Sequence, residues 1–337
     1  MSECYLVTGC AGFIGSRVSL QLLEAGHAVV GLDSLNSAYD RRLKDWRLSA
    51  LTAHSCFTFH ELDIGNRAAL ERIFSESAAT ATSAGHSPLA AVFNLAARAG
   101  VRPSVENPWP YFDANLVGTL NLLECCRRFA VPKFVLSSTS SLYGDANPTP
   151  FREEADTSRP LSPYAASKKA AETLAYSYHH LHGVDVSIVR YFTVYGPAGR
   201  PDMSVFRFVR QMAEGEPIVV FGDGTRQRDF TYVDDVARGT IAAARPLGYE
   251  IINLGGDRPV ALKVVIDRIA ALLGVTPSIE YRPAHPADVQ TTWADIGKAR
   301  RLLGWSPEVS LDEGLKRCVQ WYRENRDFAV QLGLKDG

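Results

Sequence analysis

The stretch Gly9-Cys10-Ala11-Gly12-Phe13-Ile14-Gly15 constrains this chain most, because of what stands on either side of it. Before it, Tyr5–Thr8 reads as a short apolar strand; after it, Phe13–Ala25 carries a helical pattern. One glycine makes the tight turn and another lets the backbone approach a pyrophosphate. The third lets helix and strand touch, and the helix N-terminus offers free N–H groups to phosphate. A second strand, Ala28–Leu32, runs into Asp33. A carboxylate there accepts hydrogen bonds from the adenosine ribose and repels a 2′-phosphate, so the expected cofactor is NAD rather than NADP. A glycine triplet alone also occurs at purely structural helix starts; the flanking strand, helix and acid separate the two cases. The cofactor candidates from this region are Gly9, Gly12, Phe13, Ile14, Gly15 and Asp33.

Strand and helix continue to alternate. Phe57–Leu62, Ala91–Leu95 and Lys133–Ser137 read as further strands, with helical stretches at 67–76 and 110–129 between them. Uninterrupted apolar strands separated by helices indicate a parallel sheet covered on both faces. Ser75–Ser87, rich in Ala, Ser and Thr without periodicity, reads as a surface loop. After Val186–Tyr191, another strand, Pro and Gly become denser (Gly196-Pro197-Ala198-Gly199-Arg200-Pro201) and the alternation loses regularity. The expected fold is α/β: a Rossmann-type doubly wound parallel sheet with a smaller mixed α/β C-terminal substrate lobe. Residues 1–192 form the NAD-binding domain, with 229–254 returning to it, and 193–228 and 255–337 form the lobe.

With 46% hydrophobic residues in 337, the chain can bury a large core. Lys plus Arg (36) balances Asp plus Glu (37), which argues against nucleic acid or an anionic membrane as partner. No apolar run approaches the ~20 residues that span a bilayer. Met1-Ser2-Glu3 enters the first strand without a basic region, so no signal peptide is expected and the location implied is the cytoplasm. The cysteines Cys4, Cys10, Cys56, Cys125, Cys126 and Cys318 lack paired or metal-like spacing and read as free, mostly buried thiols, with no metal site.

Tyr164-Ala165-Ala166-Ser167-Lys168 places a phenol and an ammonium four apart, on one helix face. A free Tyr titrates near ~10 and is a poor base at neutral pH. A nearby ammonium and a positively charged nicotinamide both favour phenolate, and every ~1.4 kcal/mol of such preference makes the phenolate about tenfold more available. The plain alternative is an ordinary amphipathic helix; the glycine loop upstream tips the reading to catalysis. A hydroxyl at the end of the preceding strand would complete the set, and Ser137-Ser138-Thr139-Ser140-Ser141-Leu142-Tyr143-Gly144 supplies several.

The G-x-x-G-x-x-G spacing together with Tyr-x-x-x-Lys resembles the extended short-chain dehydrogenase/reductases. The resemblance implies that Asp63 and Ile64 reach the adenine. It also implies that Asn94-Leu95-Ala96-Ala97, Ala96 included, lines the cofactor and that Asn115 supports the site. Thr139 falls on the catalytic hydroxyl of the family's S-S-S/T-x-x-x-Y-G pattern, giving Thr139, Tyr164 and Lys168 as catalytic residues, the last two also touching NAD. Ala99-Gly100-Val101-Arg102, Tyr111-x-x-x-Asn115-x-x-Gly118-Thr119, Arg190-Tyr191-Phe192, Arg228-Asp229-Phe230-Thr231-Tyr232-Val233-Asp234-Asp235 and Trp293-Ala294-Asp295 are similar to nucleotide-sugar 4-epimerases. That likeness implies proton removal from a C4 hydroxyl by Tyr164, hydride passage to NAD, rotation of a 4-keto sugar, and return of the hydride to its other face.

Residues 190–203 look like the branch acting on UDP-glucuronate, with UDP-galacturonate as product and a UDP-sugar as the partner molecule. Donors for a sugar carboxylate would be Ser140, Ser141, Thr193 and Arg200, the last as a bidentate fork. Arg200 can also be read as facing the diphosphate, or as a surface arginine. Where epimerases of neutral hexoses commonly place Arg on the diphosphate this chain has His285, so Arg228 takes that role, with Asp288 at the following acidic position. Arg98 stands where the family often has Gln. Ser140-Ser141 replaces the carboxylates that dehydratases and decarboxylases carry beside the catalytic hydroxyl, which points to epimerisation without loss of atoms. The alternatives are a UDP-glucose or UDP-N-acetylglucosamine 4-epimerase, for which Thr292 leaves space, and a non-catalytic NAD-binding sensor, which predicts loss of the Tyr/Lys pair. The helices at 110–129 and 162–182 carry apolar residues on more than one face; in the family such helices form a four-helix bundle, so a homodimer is expected.

Overall fold

The computed structural model describes residues 2–84, 89–283 and 289–334. Its strands are β1 Cys4–Thr8, β2 Ala28–Asp33, β3 Phe57–Glu61, β4 Leu89–Asn94, β5 Lys133–Thr139, β6 Asp185–Tyr191, β7 Thr193–Tyr195, β8 Ile218–Phe221, β9 Gln227–Tyr232, β10 Tyr249–Leu254, β11 Pro259–Ala261 and β12 Ile279–Arg282. Seven of them form one sheet in the order β10-β6-β5-β4-β1-β2-β3. Every pairing in it is parallel, with Tyr5 opposite Val29 and Ala91, and Val135 opposite Ser187. This is the doubly wound α/β arrangement expected, and its strand order reverses between β1 and β4, where ligands bind such sheets.

Strand alternation explains the two faces. Leu6, Val92, Phe134, Leu136 and Ile188 point to a core shared with Leu70, Phe74, Leu122 and Ala171 from the helices Arg67–Ala84, Gly118–Arg128 and Pro163–His182. Their neighbours Tyr5, Val7, Phe93, Val135 and Val189 point the other way, against Val18 and Leu22 of the helix Phe13–Glu24 and Val236 of the helix Val233–Ala242. A third core, with Phe206, Phe208, Ile218, Ile266, Leu315 and Trp321, lies under the small sheets β11-β9-β7 and β12-β8. The chain thus leaves the main sheet after β6, builds β7 to β9 apart, and re-enters as β10.

One expectation fails. The segment read as a loop from Ser75 continues the helix Arg67–Ala84, and its last residues, 85–87, lie outside the described ones. Ala78, Ala79, Ala81 and Ala84 have the highest helix propensity, and the helix already anchored by buried Ile73 and Phe74 simply propagates through them. A second difference is the helix Arg41–Thr52, which the sequence pattern does not announce. Among the described residues no helix is long and apolar enough to cross a membrane, and all six cysteines are free, Cys56 exposed and Cys4 partly so.

Candidate active site

The glycine loop takes its shape from contacts that exclude side chains. Gly9 has φ +69°, and a Cβ on it would sit 2.8 Å from the Ala96 nitrogen; one on Gly15 would sit 2.1 Å from the Gly9 carbonyl oxygen. Leu32 O holds the loop by accepting from the N–H groups of Gly9 (2.7 Å) and Cys10 (3.2 Å). Opposite, the Thr8 hydroxyl donates to Asn94 Oδ1 (3.0 Å) and accepts from the N–H groups of Leu95 (3.2 Å) and Ala96 (3.1 Å), which fixes the turn after β4. No side chain caps the helix Phe13–Glu24 at Gly12, so its first N–H groups remain available to phosphate.

A cavity of about 260 Å³ opens over this crevice. Gly9, Gly12, Phe13, Ile14, Gly15, Asp33, Asp63, Ile64 and Ala96 line it, together with Thr139, Tyr164, Lys168 and Arg200. Asn115 and Asn94 do not. Asn94 is a buried strut between Thr8 and Thr119. Asn115 lies behind the wall in a π-helical turn, Asp113–Val117, a geometry that recurs at functional sites. Its Oδ1 accepts from Arg98 N (2.8 Å), and its Nδ2 donates to Arg98 O (3.0 Å) and Ser167 Oγ (2.9 Å). It therefore ties the wall segment after β4 to the helix bearing Tyr164 and Lys168, and the deviation at Arg98 is met through backbone atoms, which any residue offers.

The helix Arg41–Thr52 adds two buried cations that sequence pattern alone does not reveal. Lys44 Nζ lies 3.3 Å from Asp33 Oδ1 on the cavity wall. Asp33 also accepts from Leu35 N (2.8 Å) and Ala11 N (3.2 Å), so its carboxylate is fixed on the cavity wall at the end of β2. Arg47 donates to Tyr39 OH (2.7 Å), Ala198 O (2.6 Å) and Ala11 O (3.3 Å). Their only signal in the chain is a series of cations along a polar helix, which ordinarily marks a solvated face. A glycine cradle that admits no Cβ, an uncapped helix start and a fixed carboxylate at the second strand fit a dinucleotide.

The helix Pro163–His182 begins where Ser162 accepts from Ala165 N with Pro163 in the first turn, and ends at Gly183, φ +67°. That start aims Tyr164 and Lys168 into the cavity, and Tyr164 N donates to Ser104 Oγ (3.1 Å). Lys168 Nζ donates to Ser137 O (2.9 Å). Burial pulls its pKa down to about 8, against the opposing pull of Glu172. Burial holds the Tyr164 phenol above its ordinary range, and the Thr139 hydroxyl and the charge of Arg200 oppose it only in part. Spacing alone assigns that lowering to Lys168; the two groups of this chain that exert it are Thr139 and Arg200. Thr139 stands at the end of β5, where its Oγ1 accepts from Ser141 N (3.1 Å) and lies 3.1 Å from Ser141 Oγ.

The sugar-side candidates are less gathered. Ser140 and Ser141 form the 3₁₀ turn next to Thr139, and Thr193 opens β7 opposite Phe230, but none of the three lines the cavity. Arg200 does, with its fork on Asp202 (Nε 3.0 Å, Nη2 2.5 Å). Arg228, on β9, donates to the carbonyls of Gln227 (2.8 Å) and Gln290 (3.4 Å), away from the cavity wall. Thr292 is also off the wall, and its hydroxyl accepts from Asp229 N (3.1 Å). Asp288 and His285 lie outside the described residues. Asp229, singled out only as part of a motif, is fully buried and accepts from the N–H groups of Gly256 (2.5 Å), Ala294 (2.8 Å) and Asp257 (3.2 Å), which ties the turn after β10 and the segment at Ala294 to β9.

Comparison with known proteins agrees with this geometry. Residues 5–255 match the NAD dependent epimerase/dehydratase family. The chain is 56% identical over 329 residues to a UDP-glucuronate 4-epimerase of Thermodesulfobacterium geofontis, covering 97% of this chain and 98% of that one. It superposes with TM-score 0.87 on the UDP-glucuronic acid 4-epimerase of Bacillus cereus, solved with UDP-glucuronic acid and NAD, at 36% identity over 96% of this chain and 99% of that one. A Thermotoga maritima UDP-glucose 4-epimerase with UDP-glucose is similar at TM-score 0.86 and 33% identity, covering 96% and 100%. With its Rossmann-type sheet and its glycine cradle, this chain belongs to the NAD dependent epimerase/dehydratase family.

Proposed function

We propose that the protein is an NAD-dependent nucleotide-sugar 4-epimerase that interconverts UDP-glucuronate and UDP-galacturonate. The observation that carries this is the meeting of Thr139, Tyr164 and Lys168 with the glycine cradle and Asp33 on one cavity, with serines rather than carboxylates following Thr139. The 56% identity to a protein named for that reaction supports the choice of sugar.

In this reading Gly9, Gly12, Phe13, Ile14 and Gly15 hold the pyrophosphate, Asp33 and Lys44 the ribose, and Asp63, Ile64 and Ala96 the adenine end. NAD, when bound, supplies the hydride acceptor and donor. Tyr164 takes the proton of the C4 hydroxyl and returns it once the keto sugar has turned over. Thr139 donates to the same sugar oxygen, and Lys168 keeps positive charge beside the phenolate. Ser140, Ser141, Thr193 and Arg200 hold the sugar carboxylate; Arg200 does so through Nη1, the donor outside its pair with Asp202. Restraining that carboxylate keeps a β-keto acid from losing carbon dioxide. Arg228 and Asp288 serve the UDP moiety on the lobe built from 193–228 and 255–337, and residues 1–192 with 229–254 carry the cofactor.

We also assign a homodimer, formed through the helices that follow Trp109 and Pro163. Their outer faces expose Trp109 (75%), Val117, Leu120, Tyr176 and Leu181 (69%), an apolar surface that water does not favour. The deciding measurement incubates purified protein with UDP-glucuronate, UDP-glucose and UDP-N-acetylglucosamine and reads C4 stereochemistry by NMR. Inversion of UDP-glucuronate, absent in Tyr164→Phe, is expected; no inversion of any of the three overturns the reading.

A further inference from the structure

One turn beyond Lys168 on the same helix, Glu172 is buried in a place the chemistry above does not use. Its Oε1 accepts from Ser138 Oγ (2.6 Å) and Arg190 Nε (2.9 Å), and its Oε2 from Arg190 Nη2 (2.7 Å). Ser138 lines the cavity and immediately precedes Thr139. Arg190, 1% exposed on β6, is held in turn by Tyr143 OH (3.0 Å) and Glu153 O (3.3 Å), and Tyr143 OH donates to Asn253 Oδ1 (2.7 Å) on β10. A carboxylate sunk this deep is retained only with such partners.

We propose that Glu172, clamped by Arg190, is a positioning residue for the reaction: through Ser138 it fixes the strand end that carries Thr139, and one helical turn from Lys168 it sets a fixed negative charge behind the ammonium that faces the cavity with Tyr164. The inference deepens the epimerase reading and rests on it. The titratable and charged groups around the Lys168–Glu172 turn are Tyr164 and Arg200, which line the same cavity as Lys168, Lys169, whose Nζ lies 3.9 Å from Glu172 Oε2, Arg190 on β6, paired to Glu172, and Tyr143, bonded to Arg190. Glu172 is the group that pushes the Lys168 pKa up against burial. The second tie, to Ser138, makes strand end and lysine answer to one carboxylate.

The test is the pH dependence of kcat for UDP-glucuronate in the holoenzyme, with NAD affinity by calorimetry at the same pH values. Wild type should lose activity on the alkaline side as Lys168 titrates near 8. In Glu172→Gln that limb should move to lower pH, by about one on the pH scale, so kcat at about pH 8.5 falls roughly tenfold more than at about pH 6.5. Because this change strands Arg190 as a buried unpaired cation, the companion Glu172→Gln/Arg190→Met removes both charges and should show an acidward movement no larger than that of Glu172→Gln. Arg190→Gln alone, which takes away a cation and leaves the anion, should move the limb the opposite way or not at all. An alkaline limb unmoved in both Glu172 variants, or losses equal at every pH, overturns the proposal. If wild type inverts no sugar, the functional reading fails, and the pH dependence of NAD affinity, which needs no sugar, still decides the role of Glu172 by the same movements.

Discussion

The two walls of the cavity are built differently. On the cofactor side, each functional group sits within a few residues of the element that aims it: a strand, a short glycine loop, the start of a helix. On the side toward the small lobe, Arg200 lines the cavity while the other described candidates for the sugar, Thr193 and Arg228, stand on separate strands off it, and Arg200 is held by Asp202 and, through Ala198, by Arg47, residues distant in sequence or ordinary in type. The cofactor wall should therefore fail sharply on single changes, while the sugar wall should degrade in specificity first.

The largest expected effect belongs to Tyr164→Phe, which removes the base while leaving the ring packed against Tyr111. kcat should fall about 10³-fold with NAD binding and thermal stability kept; a modest loss would move the base elsewhere. Next is Gly15→Ala, whose Cβ meets the Gly9 carbonyl at 2.1 Å. Relieving that clash reshapes the cradle, and calorimetry should show NAD bound about 100-fold more weakly. On the other wall, Arg200→Ala should cost about tenfold in kcat and release UDP-pentose detectable by mass spectrometry. It also removes a positive neighbour of the phenol, so the acid limb of the rate profile should move to higher pH, since a phenol deprived of a cation holds its proton longer. Strictly epimerised product with an unchanged limb would remove Arg200 from the sugar site. The smallest effect is expected for Lys44→Ala, roughly fivefold in NAD affinity, because Asp33 keeps two backbone donors when the ammonium goes.

How much can be read from the chain alone follows the same division. The sheet strands announce themselves through apolar runs, and Tyr164, Lys168 and the glycines through spacing that local structure preserves. Lys44 and Arg47 do not, since hydropathy treats a buried cation as a surface one and only the tertiary contacts reveal its partners. Arg228 and Thr292 draw their roles from their places in a motif, and the bonds they make, Arg228 to the carbonyls of Gln227 and Gln290 and Thr292 to the N–H of Asp229, are long-range or local contacts that no sequence pattern announces. The alanine-rich end of the helix Arg67–Ala84 lacks amphipathic periodicity, so propensity carries it where pattern gives no sign.

Arg47 is the smallest link between the two halves of the site, and it has a wider meaning. One guanidinium grips the carbonyl of Ala11 inside the glycine loop and that of Ala198, two residues before Arg200. The glycine loop and the segment that carries Arg200 are thus tied through one side chain. Evolution or an engineer wishing to retune the sugar end through residues 197–203 would feel the consequence in how tightly the enzyme keeps its coenzyme between turnovers.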